Sequence, residues 1–255
     1  MNSDVQYLSS GDADIAVKVT DGQAPTVIWL GGFRSDMEGT KAVALAEWGE
    51  RTGHRVVRFD YRGHGASGGR FEDYAISDWL ADAEAVMAAH VSGSAIAVGS
   101  SMGGWIGLLM ARARAQAGRP LAGLVLLAPA ADFTERLMWP RLPEAMRDEV
   151  MARGIAHLPS DYGEPYPITR RLFEDGRKHL LYGDNPIETG CAVRILQGVA
   201  DPDVPHTHTL ELVERLAQDD VALTLIKDGD HRLSRPQDID RLLLTVDRLV
   251  GDVSA

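Results

Sequence analysis

Residues Ala95–Trp105 read AIAVGSSMGGW, and this stretch decides the fold of the chain. Its first half is a short apolar run rich in Ile and Val, which is typical of a buried strand. Its second half begins a helical pattern at Met102. The two halves meet at GSSMG, residues 99–103, which is a G-x-S-x-G sequence. A strand that turns directly into a helix across such a sequence predicts a nucleophile elbow, with a serine hydroxyl raised above the sheet.

Ser101 is the expected nucleophile, because Gly99 and Gly103 lie two positions before and after it. The turn is so tight that no side chain fits at those two positions. Ser100 does not have glycines at both flanking positions, so it is not expected to react. The N-terminus of the following helix favours negative charge that develops beside the serine.

The composition is that of an ordinary globular protein, with 255 residues, 45% hydrophobic and 25% charged. The net charge is −11 and no basic cluster occurs, so nucleic acid and anionic membranes are poor partners. Cys191 is the one cysteine, so an intrachain disulfide is impossible. We see neither a targeting peptide nor a membrane-spanning stretch. These features predict a cytoplasmic protein that acts on a small-molecule substrate.

Apolar runs and helical patterns alternate along most of the chain, which predicts a doubly wound, mostly parallel α/β sheet of eight strands. Residues 132–190 interrupt this alternation with two helical stretches, at about 143–153 and 168–181, and with prolines that include Pro140, Pro143, Pro159, Pro165 and Pro167. We therefore expect a core formed by residues 1–131 and 191–255, with a helical cap inserted between them. The cap should lie over the carboxyl ends of the strands.

Candidates for the acid and the base follow two later strands. Asp201 and Asp203 come after the strand VRILQG, and His231 comes after LTLIKD. Serine, then acid, then histidine is the chain order of a catalytic triad in which the serine lies at such an elbow. At most one of these two aspartates is expected to meet the histidine. Asp132, which also follows an apolar strand, is a third candidate for the acid.

Two backbone N–H groups are expected to bind the oxyanion. One is the N–H of Met102, the residue after the nucleophile. The other follows the strand TVIWL, and we expect it to be the N–H of Phe33, because two glycines before it let the chain bend close. Such donors often supply the largest single catalytic contribution.

Several motifs together resemble the α/β-hydrolase superfamily over nearly the whole chain. Within it, the chain resembles the group of the mitochondrial palmitoyl-protein thioesterase, also called mycophenolic acid acyl-glucuronide esterase, and its bacterial relatives. The motifs are GTKA at 39–42, RFDY at 58–61 with its following G-x-G-x-S, GSSMGGW at 99–105, D-x-x-VP at 201–205, and DHR at 230–232 with Asp238-Ile239. This resemblance implies Ser101 as nucleophile, Asp201 as acid and His231 as base. Asp203 is then expected to cap the helix that begins near His206.

The resemblance implies hydrolysis of carboxylic esters or thioesters through an acyl-enzyme, with no cofactor. An amidase, lactonase or perhydrolase of the same fold is the alternative, and a non-catalytic ligand-binding protein is a more distant one. The chain has His206 where the resembling group tends to carry tryptophan, so the wall beside the acid should differ.

Side chains of the cap allow two interpretations: they line an acyl pocket, or they form the cap's own small core. They are Met138, Trp139, Met146, Met151, Tyr162 and Tyr166. Among these we take Met138, Trp139 and Met146 as candidate substrate-binding residues, together with His206.

The histidines do not predict a metal site. His206 and His208 lie two positions apart at a helix start, so their side chains diverge, and no metal is expected. The remaining histidines other than His231 show no partner pattern, and we assign them to the surface or to loops. They are His54, His64, His90, His157 and His179.

Overall fold

The structure is a computed structural model that describes residues 4–160, 163–217 and 220–254. Ten strands are numbered in chain order. They are β1 (Gln6–Ser10), β2 (Ala13–Thr20), β3 (Gln23–Leu30), β4 (His54–Phe59), β5 (Ala95–Ser100), β6 (Gly123–Leu127), β7 (Ile155–Ser160), β8 (Gly163–Thr169), β9 (Ala192–Gly198) and β10 (Val221–Ile226).

Eight of these strands form one sheet in the order β1-β2-β4-β3-β5-β6-β9-β10. The pairs β1–β2 and β2–β4 are antiparallel, and the other pairs are parallel. The central register aligns Leu30 with Gly99, and Ser100 with Leu127. The carboxyl ends of β3, β5, β6, β9 and β10 therefore meet at one edge, where open α/β sheets bind ligands. The predicted eight-stranded, mostly parallel sheet is confirmed.

Helices cover both faces of the sheet. They are α1 (Thr40–Thr52), α2 (Ile76–His90), α3 (Met102–Gln116), α4 (Glu144–Arg153), α5 (Arg170–Gly176), α6 (His206–Arg215) and α7 (Pro236–Ser254). Trp48 of α1 and Leu242 of α7 are buried in the hydrophobic cluster on one face. Trp79 of α2, Trp105 of α3 and Leu212 of α6 are buried in the cluster on the other. Burying a large apolar side chain stabilises the fold by about 1.5–3 kcal/mol, so these two layers hold the strand ends in place. No helix in the described ranges is both long and apolar enough to cross a membrane.

The segment between β6 and β9 was expected to be helical, but it also contains a β-hairpin. Helix α4 lies at the first predicted position, whereas α5 spans only Arg170–Gly176 of the second. The hairpin β7–β8 lies between them, and its register pairs His157 with Pro167. Proline is tolerated in edge strands, and both strands of a two-stranded hairpin are edge strands. Pro159, Pro165 and Pro167 therefore lie in the strands of a hairpin and do not begin a helix.

Asp132 fastens the two ends of this segment together. It has φ = 56° and lies five residues after the end of β6. Its carboxylate accepts hydrogen bonds from the N–H groups of Leu181 (2.8 and 2.9 Å) and Tyr182 (2.9 Å), which lie at the segment's other end. Burial raises the pKa of this carboxyl group, and the residue is 1% exposed. Asp132 therefore has a structural role at the base of the segment.

Candidate active site

Ser101 lies at the turn between β5 and α3, with φ = 54° and ψ = −118°. This region of backbone space is unfavourable for a residue with a Cβ, so the surrounding structure must hold it. A Cβ on Gly99 would overlap the backbone of Gly103, and a Cβ on Gly103 would overlap the backbone of Leu30. The glycines at both flanking positions are therefore required by close backbone contact, as expected of a nucleophile elbow.

His231 links Ser101 to Asp201 through both of its ring nitrogens. Its Nδ1 lies 2.8 Å from Asp201 Oδ2, and its Nε2 lies 3.0 Å from Ser101 Oγ. An ionised carboxylate only accepts, so Nδ1 carries the proton and donates it to Asp201. Nε2 is then free to accept the hydrogen bond from the Ser101 hydroxyl. This tautomer is the one that can remove a proton from the serine.

Asp201 is held in one orientation by the loop that carries it. Its Oδ1 accepts hydrogen bonds from the N–H groups of Asp203 (2.8 Å) and Val204 (2.9 Å). The Gln197 side chain donates to Oδ2 at 3.3 Å, and the Asp201 side chain has no solvent exposure. With Oδ1 occupied by two backbone donors, Oδ2 is the oxygen that faces His231.

The other two candidate acids are placed elsewhere. Asp203 is exposed and does not cap α6, since the residue before that helix is Pro205 and no side chain caps it. The expected capping role of Asp203 is therefore wrong, because α6 begins directly after proline. Asp132 directs its carboxylate to the N–H groups of residues 181 and 182 instead of to His231.

The loop after β3 brings backbone donors beside the nucleophile. A Cβ on Gly32 would lie 3.4 Å from the Cβ of Ser101, so the loop passes at van der Waals distance. Phe33 follows, and no hydrogen bond within the described part of the chain uses its N–H. Met102 is the first residue of α3, where helix geometry leaves the N–H without an intrahelical partner. Met102 thus directly follows Ser101, and Phe33 directly follows the residue of the β3 loop that passes Ser101.

A cleft of about 1010 Å³ opens above Ser101 and His231. The segment between β6 and β9 contributes apolar side chains and Arg141 to its wall, whereas the loops after β3 and β10 and the first turn of α1 contribute other cationic ones. The apolar ones are Leu137, Met138, Leu142, Leu158 and Tyr166; the cationic ones include Arg34, Lys41 and Arg232. A cleft of this size is at the upper end for small-molecule sites.

Of the four candidate substrate-binding residues, only Met138 lines this cleft. Trp139 packs edge-on against Phe173, with ring centroids 4.7 Å apart, and Met146 packs into the same small cluster. These two side chains lie behind the side chains of the same segment that line the cleft, such as Met138 and Leu142. His206 is the first residue of α6 and does not line the cleft either. Of the other cap residues considered, Tyr166 lines the cleft, and Tyr162 lies outside the described residues.

Asp201, Asp203 and His231 are the one group in the described ranges that could offer three metal ligands, with ligand atoms within 4.8 Å of one another. Both nitrogens of His231 are already engaged by Asp201 and Ser101. His208, considered above as a possible ligand, is buried and contacts the Ala131 carbonyl oxygen at 2.9 Å through Nε2. The hydrogen bonds thus account for the geometry of this group.

His64 lies in a loop, as expected, but it is buried and has partners. It is 4% exposed, and its Nε2 accepts a hydrogen bond from the N–H of Arg34, next to Phe33. The sequence could have indicated a role for His64 only through its position just past the end of a strand, where ligands bind in open α/β sheets.

Comparison with known proteins gives several consistent matches. Residues 24–171, more than half of the chain, match the family Hydrolase_4, described as serine aminopeptidase, S33. The mitochondrial palmitoyl-protein thioesterase ABHD10 of Pongo abelii is 35% identical over 243 residues, which is 94% of this chain and 78% of the relative.

Two solved structures are similar over nearly their whole length. A protein of Agrobacterium vitis S4, described only as a hydrolase, is 47% identical with a TM-score of 0.91, covering 97% of this chain and 98% of that chain. Mouse alpha/beta hydrolase domain-containing protein 10 is 32% identical with a TM-score of 0.88, covering 98% and 100%. The eight-stranded sheet and these matches agree, and the chain belongs to the α/β-hydrolase family Hydrolase_4, among the relatives of ABHD10.

Proposed function

We propose that this protein hydrolyses carboxylic esters or thioesters through an acyl-enzyme formed on Ser101. The observation that carries the proposal is the hydrogen-bonded chain from Ser101 Oγ through His231 to Asp201, at 3.0 and 2.8 Å. The name of these relatives, palmitoyl-protein thioesterase, supports an acyl thioester among the substrates.

In the first half of the reaction, Ser101 Oγ attacks the acyl carbonyl carbon while His231 Nε2 takes the hydroxyl proton. Asp201 stabilises the imidazolium that forms, because its Oδ2 accepts from Nδ1–H. The N–H groups of Phe33 and Met102 bind the oxyanion of the tetrahedral intermediate. When the intermediate collapses, the bond to the leaving oxygen or sulfur breaks and His231 returns the proton to it.

Water completes the cycle. His231 Nε2 accepts a proton from water, whose oxygen attacks the acyl carbon of the Ser101 ester. The second tetrahedral intermediate uses the same two N–H groups. Its collapse releases the carboxylic acid and returns the proton to Ser101 Oγ. No step requires a cofactor.

Residues 132–190 serve in this proposal as a cap on the core formed by residues 1–131 and 191–255. The cap places Met138, Leu142 and Tyr166 on the cleft wall, where they can contact an apolar acyl group. The cytoplasmic location remains a prediction, since the ABHD10 relatives are named as mitochondrial proteins.

Covalent labelling tests the proposal. A fluorophosphonate should modify the peptide that contains Ser101, and Ser101→Ala should abolish the label and lower kcat by about 10⁴-fold or more. Ser100→Ala is the matched control, since Ser100 is the buried neighbour at the end of β5. It should retain both the label and the activity. A label on Ser100, or on no serine, would refute the proposal.

Amidase, lactonase and perhydrolase reactions use the same triad, so substrates must separate them. We would compare one acyl group presented as an oxygen ester, a thioester, an amide and a lactone. Faster turnover of the ester or thioester than of the amide supports the proposal, and the reverse order favours the amidase.

A further inference from the structure

His64 is packed beneath the loop that carries the proposed oxyanion donor. It lies in the loop after β4 and is 4% exposed. Its ring contacts three aromatic rings edge-on, with centroids 5.8 Å from Tyr61, 5.1 Å from Phe71 and 5.3 Å from Trp79. This packing fixes the plane of the imidazole.

Two backbone groups determine the tautomer of His64. The N–H of Arg34 donates to Nε2 at 3.1 Å, so Nε2 must be the unprotonated nitrogen. Nδ1 then carries the proton and lies 3.3 Å from the carbonyl oxygen of Arg62, which can accept it. Burial lowers the pKa of His64 to about 4, so the ring is neutral and Nε2 remains an acceptor near neutral pH.

The hydrogen bond from Arg34 constrains a strained backbone. Arg34 has φ = 59°, a left-handed conformation that is uncommon for a residue other than glycine. The N–H that donates to His64 belongs to the peptide group that joins Phe33 to Arg34. Fixing that peptide limits rotation of the backbone of Phe33, whose own N–H makes no hydrogen bond within the described part of the chain.

The Phe33 side chain provides a second restraint from above. Its ring contacts Phe71 (4.9 Å between centroids), Phe133 (5.5 Å) and Tyr166 of β8 (6.0 Å). The Arg34 guanidinium lies 4.9 Å from the Tyr166 ring centroid. These contacts hold the side chains of the loop, whereas His64 holds its backbone.

We propose that His64 is a positioning residue, which keeps the Phe33 N–H aimed at the oxyanion by accepting the hydrogen bond from the Arg34 N–H. This inference rests on the proposed function, because it concerns the orientation of one donor in that mechanism. Oxyanion donors act by being oriented before the charge develops, so a donor free to turn away stabilises the transition state less.

Substitution of His64 by asparagine or by glutamine distinguishes a hydrogen-bonding role from a packing role. Asparagine in place of histidine reaches as far as Nδ1, whereas glutamine reaches as far as Nε2. His64→Gln can therefore accept from the Arg34 N–H, and His64→Asn cannot. His64→Phe keeps the ring shape but removes both nitrogens.

We expect kcat for p-nitrophenyl acetate to fall by about 10²-fold in His64→Asn and His64→Phe, similar to the loss of one oxyanion donor. KM should change by less than about 3-fold, because the ground-state ester does not depend on this donor. His64→Gln should stay within about 5-fold of the wild type. If His64→Phe does not fold, the comparison of the asparagine and glutamine variants still decides.

A trifluoromethyl ketone provides an independent readout, because it forms an oxyanion on the serine. Its inhibition constant should rise in parallel with the loss of kcat in the asparagine and phenylalanine variants, and should be nearly unchanged for glutamine. If His64 had only a structural role, the variants would lose thermal stability, but their inhibition constants and kcat values would not follow the difference between asparagine and glutamine.

His208 is the matched control. It is also a buried histidine, 7% exposed, whose Nε2 contacts a backbone oxygen, that of Ala131. His208→Asn and His208→Gln should lower stability while kcat stays within about 3-fold of the wild type.

The outcomes distinguish the two proposals. If the wild type is labelled at Ser101 but folded His64→Asn and His64→Gln lose the same fraction of kcat, or neither loses any, the role of His64 is refuted and the hydrolase mechanism stands. If the wild type is neither labelled nor active on esters, the proposed function itself fails, and the role of His64 fails with it.

Discussion

Replacing Asp201 by asparagine should invert the tautomer of His231. Oδ1 of Asp201 accepts two backbone hydrogen bonds, from Asp203 at 2.8 Å and Val204 at 2.9 Å. In the variant, the amide oxygen must occupy that position, because an NH₂ group there would face two donors. The NH₂ group then points to His231 Nδ1 and donates to it. Nδ1 becomes the acceptor, and the proton moves to Nε2.

A protonated Nε2 cannot accept the proton of Ser101. The same substitution in a serine protease lowers kcat by about 10⁴-fold while the geometry stays intact. We expect a loss of this size here, which corresponds to about 5 kcal/mol in the activation free energy. The Gln197 side chain, which donates to Oδ2 at 3.3 Å, would also face the new NH₂ group, so some stability should be lost.

The assay is p-nitrophenyl acetate hydrolysis with wild type, Asp201→Asn and Asp203→Asn, together with circular dichroism and thermal unfolding. Asp203→Asn makes the same chemical change two residues away, at an exposed carboxylate that does not cap α6. It should lose little activity or stability. A folded Asp201→Asn that keeps more than a tenth of the wild-type kcat would falsify the tautomer argument.

Three further predictions follow from buried contacts. Asp132→Asn should cost about 1–3 kcal/mol of unfolding free energy, because an NH₂ group would face a backbone donor; urea unfolding measures this, and kcat at saturating substrate should be unchanged. Met138→Ala should change the ratio of rates on long and short acyl esters, since this side chain lines the cleft, whereas Trp139→Ala should lower Tm and leave that ratio unchanged. Burial lowers the pKa values of His64 and His208 to about 4, so the unfolded chain binds protons that the folded one does not as pH falls from about 6.5 to about 4. Stability should fall over that range by up to about 3 kcal/mol for each histidine, and His208→Gln should flatten the slope in urea titrations at several pH values.

The alternation of strands and helices and the elbow could be predicted because local patterns determine them. Gly99 and Gly103 are needed by contacts within one turn and the neighbouring strand, and the spacing around Ser101 alone indicates this. The choice between Asp201 and Asp203 was made from the family resemblance, because the residues alone left it open. It depends on which carboxylate has one oxygen occupied by backbone donors, which only the folded loop determines.

The hairpin β7–β8 and the burial of His64 depend on long-range packing. Prolines in the segment fit a loop, an edge strand or a helix start equally well, and only pairing between β7 and β8 decides among them. His64 is buried by aromatic rings from its own loop and from α2, such as Trp79, and no sequence pattern indicates that these rings meet. The layering of Trp139 behind Met138 likewise follows from how the segment closes over the cleft.

The carboxylate of Asp132 has a consequence for how this enzyme can diverge. It joins both ends of the segment between β6 and β9, so the two strand ends are held independently of what lies between them. The entropy of closing a loop grows slowly with its length, by about 0.6 kcal/mol for each doubling. Insertions, deletions or exchanges within the segment therefore leave the strand ends where they are. The wall that meets the acyl group can be rebuilt by evolution or by design, while the groups that break the bond stay in register.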